Sequence, residues 1–213
     1  MPFCMILKKM SEDIRQKVIK ILGSRIPKKA GEEEWLEHHL EYWRLFLEAK
    51  KASILDGDFA EVGVARGESA RMICEGKGDR VFHLFDTFDG LPEPEELEKI
   101  RFNFYKGKYK AELDEVKKYL DNYEKVVFYK GFFPDSAEGA KENNFAFVHL
   151  DADLRQTTED ALKFFYPRLI KSGIIIAHDF SSCFTGTVFY DFFKDKHEKI
   201  EFLSDNQCIV RKN

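Results

Sequence analysis

The sequence predicts an α/β fold, in which a doubly wound, mostly parallel sheet carries helices on both faces. From Asp58 onward, short apolar runs alternate with helical stretches, which is the pattern of successive strand and helix units. The runs are apolar throughout, and this indicates strands that are buried on both faces. The last two runs are separated only by Asp205 and therefore predict a closing antiparallel hairpin.

The residues before Asp58 predict a helical extension of the same unit, so we divide the chain into an extension, 1–57, and a sheet domain, 58–213. Ser11 is a candidate N-cap for a first amphipathic helix that ends at Gly23. A second helix follows with a broad apolar face, made of Trp35, Leu36, Leu40, Tyr42, Trp43, Phe46 and Leu47. We expect this face to cover the chain's own sheet or to contact another subunit.

The remaining elements follow in strict alternation. The predicted strands cover 58–64, 80–86, 125–131, 145–151 and 173–179. The predicted helices cover 67–76, 112–120, 134–141, 157–169 and 185–195. The hairpin pairs 199–204 with 206–212. Each strand is short and apolar, whereas each helical stretch mixes apolar and charged residues with helical spacing.

Composition favours one ordinary globular domain. The chain has 213 residues, of which 44% are apolar, which is enough for a core. Its formal charge of -4 contrasts with the net positive charge expected of a nucleic-acid-binding protein and favours a small-molecule partner. No apolar run is long enough for a membrane span or a signal peptide, so we expect a cytoplasmic protein without a membrane partner. The cysteines lack a C-x-x-C pair and predict neither disulfides nor a thiolate zinc site: Cys4, Cys74, Cys183 and Cys208.

Ligands of open α/β sheets bind beyond the carboxyl ends of the strands. At the first end, Glu61 precedes Gly63 and Gly67, two residues that permit a sharp turn and a close approach of backbone to ligand. This pattern alone is weak, because many strand–helix joints need glycine for their geometry. Asp86 strengthens it, since it lies 19 residues after Gly67, where nucleotide-binding sheets place a carboxylate for ribose hydroxyls. The dinucleotide pattern G-x-G-x-x-G is missing, and Glu61 suits a cationic ligand better than a diphosphate.

The other strand ends supply further polar and aromatic groups. Gly131 and Phe132 follow the third strand and could face a flat ring. Asp151 follows the fourth strand, and His178 and Asp179 follow the fifth. These three donors predict an open site for a divalent ion such as Mg²⁺ or Mn²⁺. The alternative is that the carboxylates cap the following helices and that the histidine is a satisfied, partly buried residue.

Several ordered motifs resemble those of the macrocin O-methyltransferase family. They are EVGVARGES, LFDTFDGLP, KGFFPDS, LDADLRQTTEDALKFFYPRL and GIIIAHDF, and together they span roughly 58–180. Members of this family methylate sugar or phenolic hydroxyls with S-adenosylmethionine. The resemblance implies the Rossmann-like class I methyltransferase sheet, mostly parallel with a reversed final strand, and makes 58–213 the methyltransferase domain.

The resemblance also implies roles for individual residues. The methionine part of the cofactor would be surrounded by Glu61, Gly63, Val64, Ala65, Gly67 and Ser69. Asp86 would bind the ribose hydroxyls, and the adenine side would be lined by Thr87, Phe88, Gly131 and Phe132. A Mg²⁺-like ion that receives the acceptor hydroxyl would be held by Asp151, His178 and Asp179. Either Asp151 or His178 would take the proton.

Two positions depart from the family pattern. Family members commonly carry two adjacent acids where this chain has His178 and Asp179, and an aromatic residue where it has Arg155. Imidazole ligates Mn²⁺, Fe²⁺ or Zn²⁺ well and Mg²⁺ poorly, so the identity of the metal stays open. A metal-independent reaction with His178 as the base also stays open.

The sequence therefore predicts an S-adenosylmethionine-dependent O-methyltransferase that acts on a sugar or phenolic hydroxyl of a small molecule, assisted by a divalent metal. The alternatives are the metal-independent enzyme, an NAD-binding oxidoreductase, and a nucleotide-binding protein without catalysis. We expect the acceptor to contact the N-terminal helices, the 89–109 segment or a neighbouring subunit of a homo-oligomer.

Overall fold

The computed structural model of the chain describes residues 13–14, 16–22, 32–181 and 183–213, with side chains in the second helix from His39 onward. The predicted caps Ser11 and Gly23 lie outside the described residues, as does Cys4. The side chains of Trp35 and Leu36, two members of the predicted apolar face, also lie outside them.

A seven-stranded sheet forms the centre of the described structure. Its strands are β1 Asp58–Val62, β2 Phe82–Asp86, β3 Val126–Lys130, β4 Phe145–Leu150, β5 Leu169–Ala177, β6 Ile200–Phe202 and β7 Cys208–Arg211. The spatial order is β3-β2-β1-β4-β5-β7-β6. The first five strands pair in parallel, whereas β7 is antiparallel to both β5 and β6. The doubly wound sheet and its antiparallel hairpin are therefore confirmed.

Helices cover both faces of this sheet. They are α1, described over 16–22, α2 Glu32–Ala52, α3 Glu68–Gly76, α4 Glu96–Phe102, α5 Leu113–Tyr119, α6 Arg155–Phe165 and α7 Thr185–Phe193. The predicted helix at 134–141 is a short 3-10 helix, Asp135–Ala140. Helix α4 is absent from the sequence prediction, although Glu95 and Glu98 form a capping box at its start.

The hydrophobic core lies in two layers, one on each face of the sheet. One layer joins the strands to α6 and α7 through residues such as Phe85, Phe165 and Phe189. The other joins them to α2 and α3 through residues such as Phe59 and Ile73. Every residue of β4 is buried, as expected for a central strand covered on both faces.

Helix α2 covers the sheet of its own chain. Its buried face passes through Leu45 and Ala49, which lie in the same cluster as Phe59 of β1. Leu47, which the sequence placed on the apolar face, is instead 38% exposed. The small Ala49 faces Gly76 of α3, where an added Cβ would lie 2.9 Å from the alanine Cβ, so close helix packing sets this rotation.

The division at 57/58 stays a prediction. No helix among the described residues is long and apolar enough to cross a membrane. Two buried cysteines within the described part of the chain are free thiols, Cys74 and Cys208.

Candidate active site

A cavity of about 460 Å³ lies at the carboxyl ends of the parallel strands. Its lining includes eleven of the residues singled out by sequence: Gly63, Val64, Ala65, Ser69, Asp86, Thr87, Gly131, Phe132, Asp151, His178 and Asp179. This is the position expected for ligands in an open α/β sheet. The fold thus brings the turn after β1, the end of β2 and the acidic ends of β4 and β5 to one cavity.

Three of the singled-out residues lie behind this lining. Glu61 is fully buried within β1, where its Oε1 lies 2.7 Å from His149 Nδ1. Gly67 is the N-cap of α3, with a φ of 86°. Phe88 is 1% exposed and belongs to the core layer beneath α2 and α3. These residues support the cavity from below rather than forming its surface.

The Glu61–His149 pair is a buried polar contact between β1 and β4. Burial raises the pKa of the Glu61 carboxyl, and the neighbouring His149 and Ser69 oppose that rise. Glu61 therefore contacts His149 of β4 and Ser69 at the start of α3, and Ser69 also lines the cavity. These contacts hold β1 and the start of α3 together beneath the turn.

The turn after β1 requires glycine at position 63. Gly63 has a φ of 87°, and an added Cβ would lie 2.0 Å from the carbonyl oxygen of Asp151. The Gly63 amide donates a hydrogen bond to the Phe85 carbonyl, and the Asp151 amide donates one to the Val62 carbonyl. The glycine therefore allows the turn to lie directly against the end of β4.

Asp86 fixes the same turn through its carboxylate. Its Oδ2 accepts hydrogen bonds from the amides of Val64 and Ala65 at 2.7 and 2.8 Å, and its Oδ1 accepts one from Phe88 at 2.6 Å. A carboxylate offers about four acceptor positions, so the three backbone amides leave about one position, on Oδ1, for a further donor. The sequence indicated the position of Asp86 but not its bonds to the turn.

Three aspartates gather at the ends of β4 and β5. Burial, with the carboxylates of Asp151 and Asp179, raises the pKa of Asp153 well above its ordinary value. Asp153 and Asp179 also have positive φ values of 59° and 56°. Left-handed backbone at non-glycine residues is strained and recurs at functional sites.

His178 lies between carboxylates on both sides of its ring. Its Nδ1 is 3.3 Å from Asp151 Oδ1 and 3.4 Å from Asp179 Oδ1, while its Nε2 is 3.2 Å from Glu41 Oε2. Burial would lower the pKa of His178, but Asp151 and the hydrogen bonds to Asp151, Asp179 and Glu41 raise it well above its ordinary value.

Helix α2 supplies two site residues that the sequence did not indicate as such. Glu41 is 5% exposed and contacts His178, and Tyr42 lines the cavity. Burial, followed by the Glu68 and Asp151 carboxylates, raises the pKa of Tyr42 well above its ordinary value. No local motif marks either residue, because their approach depends on how α2 packs across the sheet.

The donor set fits a divalent cation. One donor atom from each of Asp151, His178 and Asp179 lies within 4.8 Å of the others, and Asp153, Asp179 and Cys183 form a second such group among the described residues. Carboxylate oxygens suit Mg²⁺ and Mn²⁺, and an imidazole nitrogen favours the transition metal. The three donors first indicated by sequence therefore meet as predicted.

The sheet order and the position of the cavity define a class I, Rossmann-like methyltransferase fold. Solved structures of that class are similar over most of the chain. The O-methyltransferase NovP matches with a TM-score of 0.76 at 20% identity, covering 95% of this chain and 99% of that one. The calicheamicin methyltransferase CalS11 matches with a TM-score of 0.71 at 18% identity, covering 94% and 91%.

The family model for macrocin O-methyltransferase (TylF) matches residues 37–209, so the chain belongs to this family. A tetracenomycin-C 4'-O-methyltransferase of Streptomyces olivaceus, whose named substrate carries a dimethoxyrhamnosyl group, is 30% identical over 149 residues, 63% of this chain and 57% of that protein. The demethyldecarbamoylnovobiocin O-methyltransferase of Streptomyces niveus is 26% identical over 199 residues, 84% of this chain and 63% of that protein. The chain thus spans less than two thirds of the length of these relatives.

Proposed function

We propose that this protein transfers a methyl group from S-adenosylmethionine to a hydroxyl of a small molecule, with help from a divalent metal. One observation carries the proposal: the same cavity is lined by the Gly63 turn and Asp86 on one side and by Asp151, His178 and Asp179 on the other. This arrangement would set a cofactor beside a polar site able to activate an acceptor, which an in-line transfer requires.

The residues of the proposed cofactor site lie at the carboxyl ends of the strands. The turn residues Gly63, Val64 and Ala65, together with Ser69, would contact the methionine part. Asp86 would bind ribose, with Thr87, Gly131 and Phe132 beside adenine. Glu61, Gly67 and Phe88 would support these contacts from behind. The lining also contains the acidic residues Glu68, Asp86, Asp151, Asp153 and Asp179, and their field favours a positively charged sulfonium.

The acceptor half is the group of donors at the ends of β4 and β5. When bound, a Mg²⁺ or Mn²⁺ ion would lower the pKa of an acceptor hydroxyl as a Lewis acid. The ion would be held by Asp151, His178 and Asp179. Asp151 would also receive the hydroxyl proton, directly or through water, because the ion would occupy the free lone pair of His178.

A sugar hydroxyl is the acceptor that we favour, and a phenol comes second. The two Streptomyces relatives are named for a rhamnosylated tetracenomycin and for a novobiocin precursor, respectively. Leu91, Pro92 and Tyr109 line the same cavity and provide an apolar and aromatic wall for a ring.

Titration calorimetry with S-adenosylhomocysteine and with NAD tests the cofactor class. We expect binding of S-adenosylhomocysteine and no binding of NAD. Radiolabelled S-adenosylmethionine would then be incubated with a nucleotide-linked rhamnose and with a catechol, and labelled products counted. Absence of S-adenosylhomocysteine binding would contradict the proposal.

A metal-independent reaction with His178 as the base is the second candidate. The contact of Glu41 with the far side of the imidazole favours it, because such a carboxylate orients a histidine base and stabilises the imidazolium that forms when the base takes a proton. Treatment with EDTA separates the two candidates. We expect activity to disappear and to return with Mn²⁺, whereas full activity after EDTA would establish the metal-independent reaction.

A further inference from the structure

Glu41 fixes which nitrogen of His178 carries a hydrogen. An ionised carboxylate only accepts hydrogen bonds, so the Nε2 atom, 3.2 Å from Glu41 Oε2, is the donor. A metal ion would replace the proton on Nδ1, and the Nδ1 lone pair would then be available to the ion while Glu41 keeps the hydrogen on Nε2. The Nδ1 atom faces Asp151 Oδ1 and Asp179 Oδ1 at 3.3 and 3.4 Å.

Besides His178, Glu41 has a second contact that is distant in sequence and holds it in place. Its other oxygen, Oε1, accepts a hydrogen bond from Ser204 Oγ at 2.9 Å, and Ser204 lies between β6 and β7. The carboxylate is only 5% exposed. It therefore has little freedom to release the imidazole.

This is the arrangement by which proteins orient a ligating histidine. A carboxylate on the far nitrogen sets the tautomer, directs the near nitrogen to the metal and increases its basicity. Losing such a partner typically lowers metal affinity by about 10- to 100-fold. Imidazole is a good ligand for Mn²⁺ and Co²⁺, whereas Mg²⁺ prefers oxygen.

We propose that Glu41 is a positioning residue that directs His178 Nδ1 at a divalent ion, and that the ion site prefers Mn²⁺ or Co²⁺ to Mg²⁺. This inference rests on the metal-assisted reaction proposed above. It assigns a role in the metal centre to helix α2, which supplies none of the three ligating residues.

The first test measures metal binding by calorimetry on the full chain saturated with S-adenosylhomocysteine, using Mn²⁺ and Mg²⁺ separately. We expect wild type to bind Mn²⁺ at least tenfold more tightly than Mg²⁺. Glu41→Ala should weaken Mn²⁺ binding by about 10- to 100-fold. The visible absorption of bound Co²⁺ should also change in this variant, since that spectrum reports ligand identity and geometry.

Glu48→Ala is the matched control. Glu48 lies two turns further along the same helix, is 6% exposed, and pairs with Lys51 and Arg211 instead of with the site. This variant should lose stability but keep its Mn²⁺ affinity within twofold. Melting temperatures of both variants show whether they are folded.

His178→Asp provides a second, independent test, because it creates an all-carboxylate donor set. We expect the preference to shift towards Mg²⁺. In this background, Glu41→Ala should no longer weaken metal binding, since no imidazole remains to be oriented.

Three results would overturn the inference: equal affinity of wild type for Mn²⁺ and Mg²⁺, unchanged Mn²⁺ affinity in Glu41→Ala, or no metal binding by wild type. S-adenosylhomocysteine affinity, measured in the same samples, keeps the two proposals apart. Absence of S-adenosylhomocysteine binding contradicts the methyltransferase proposal, whereas its binding without metal binding contradicts this inference and the metal assistance but leaves methyl transfer itself standing.

Discussion

The groups of histidine and carboxylate side chains around His83 and around His178 differ in how their partners are matched. His83 lies near the start of β2, where its Nε2 is 3.1 Å from Asp58 Oδ2 and its Nδ1 is 3.0 Å from the hydroxyl of Tyr129. Asn143 donates a further bond to Asp58 at 2.6 Å. At the opposite ends of the strands, the single imidazole of His178 is shared by Glu41, Asp151 and Asp179.

The difference between the His83 and His178 groups indicates where in this fold a reactive site can form. In the His83 group, the single carboxylate is matched by an imidazole and an amide, and the other nitrogen of that imidazole is matched by a hydroxyl, so the cluster is closed and joins β1, β2 and β3. In the His178 group, three carboxylates share one imidazole beside a cavity. Excess negative charge at an open site attracts a cation, whereas a matched buried network contributes rigidity.

Asp151→Asn is expected to have the largest effect. Turnover should fall on the order of 10²- to 10⁴-fold, as for the loss of a group that handles a proton. Affinity for S-adenosylhomocysteine should stay within a few fold. Asp58→Asn, the same change in the His83 group, should leave turnover unaltered. Steady-state kinetics and calorimetry check both variants, and full activity of Asp151→Asn would refute the assignment.

Gly63→Ala should disturb the site through its framework. The added Cβ would meet the Asp151 carbonyl at 2.0 Å, on a backbone with a φ of 87°. We expect a loss of about 3 kcal/mol or more in the free energy of unfolding, together with weaker S-adenosylhomocysteine binding. Gly78→Ala is the control, since its φ is 60° but its nearest neighbour is 3.6 Å away. Gly78→Ala should lower the free energy of unfolding by only about 1 kcal/mol. Urea unfolding of both variants distinguishes the cost of the backbone conformation alone from the added cost of the steric clash with Asp151.

His83→Ala should have the smallest effect on the reaction and a clear effect on stability. It leaves Asp58 and Tyr129 without their shared partner, which we expect to cost about 2 kcal/mol. Turnover should remain within twofold of wild type. His197→Ala, at an exposed position, should change neither quantity. A large loss of turnover in a folded His83→Ala protein would show that the two groups are not separate in function.

Much of the fold could be predicted because its central strands contain continuous apolar runs. β4 is buried throughout, as are residues 173–177 of β5, and the two closing runs form the hairpin that their spacing indicated. Helix α4 was missed because it is only seven residues long and follows a proline-containing loop. Leu47 was misplaced because the contact of α2 with Gly76, rather than helical spacing, sets the rotation of that helix.

The candidate site was predicted to the extent that it follows from strand ends. Asp86, Asp151, His178 and Asp179 line one cavity because parallel strands bring their carboxyl ends to the same edge. Glu41 could not be found in this way, since its contact with His178 joins residues 137 positions apart. Glu61 was expected at the ligand but lies one residue before the end of β1, where it pairs with His149.

The hydrogen bond between Ser204 and Glu41 also bears on the order in which the site is completed during protein synthesis. It joins residues 163 positions apart, whereas the bond between Asp86 and Val64 spans only 22. On a ribosome, the hydrogen bonds from the turn after β1 to the Asp86 carboxylate become possible once Asp86 has emerged. The environment of His178 is complete only when Ser204 has emerged as well, so a nascent chain can form the Asp86 contacts of the turn well before the full group of side chains around His178.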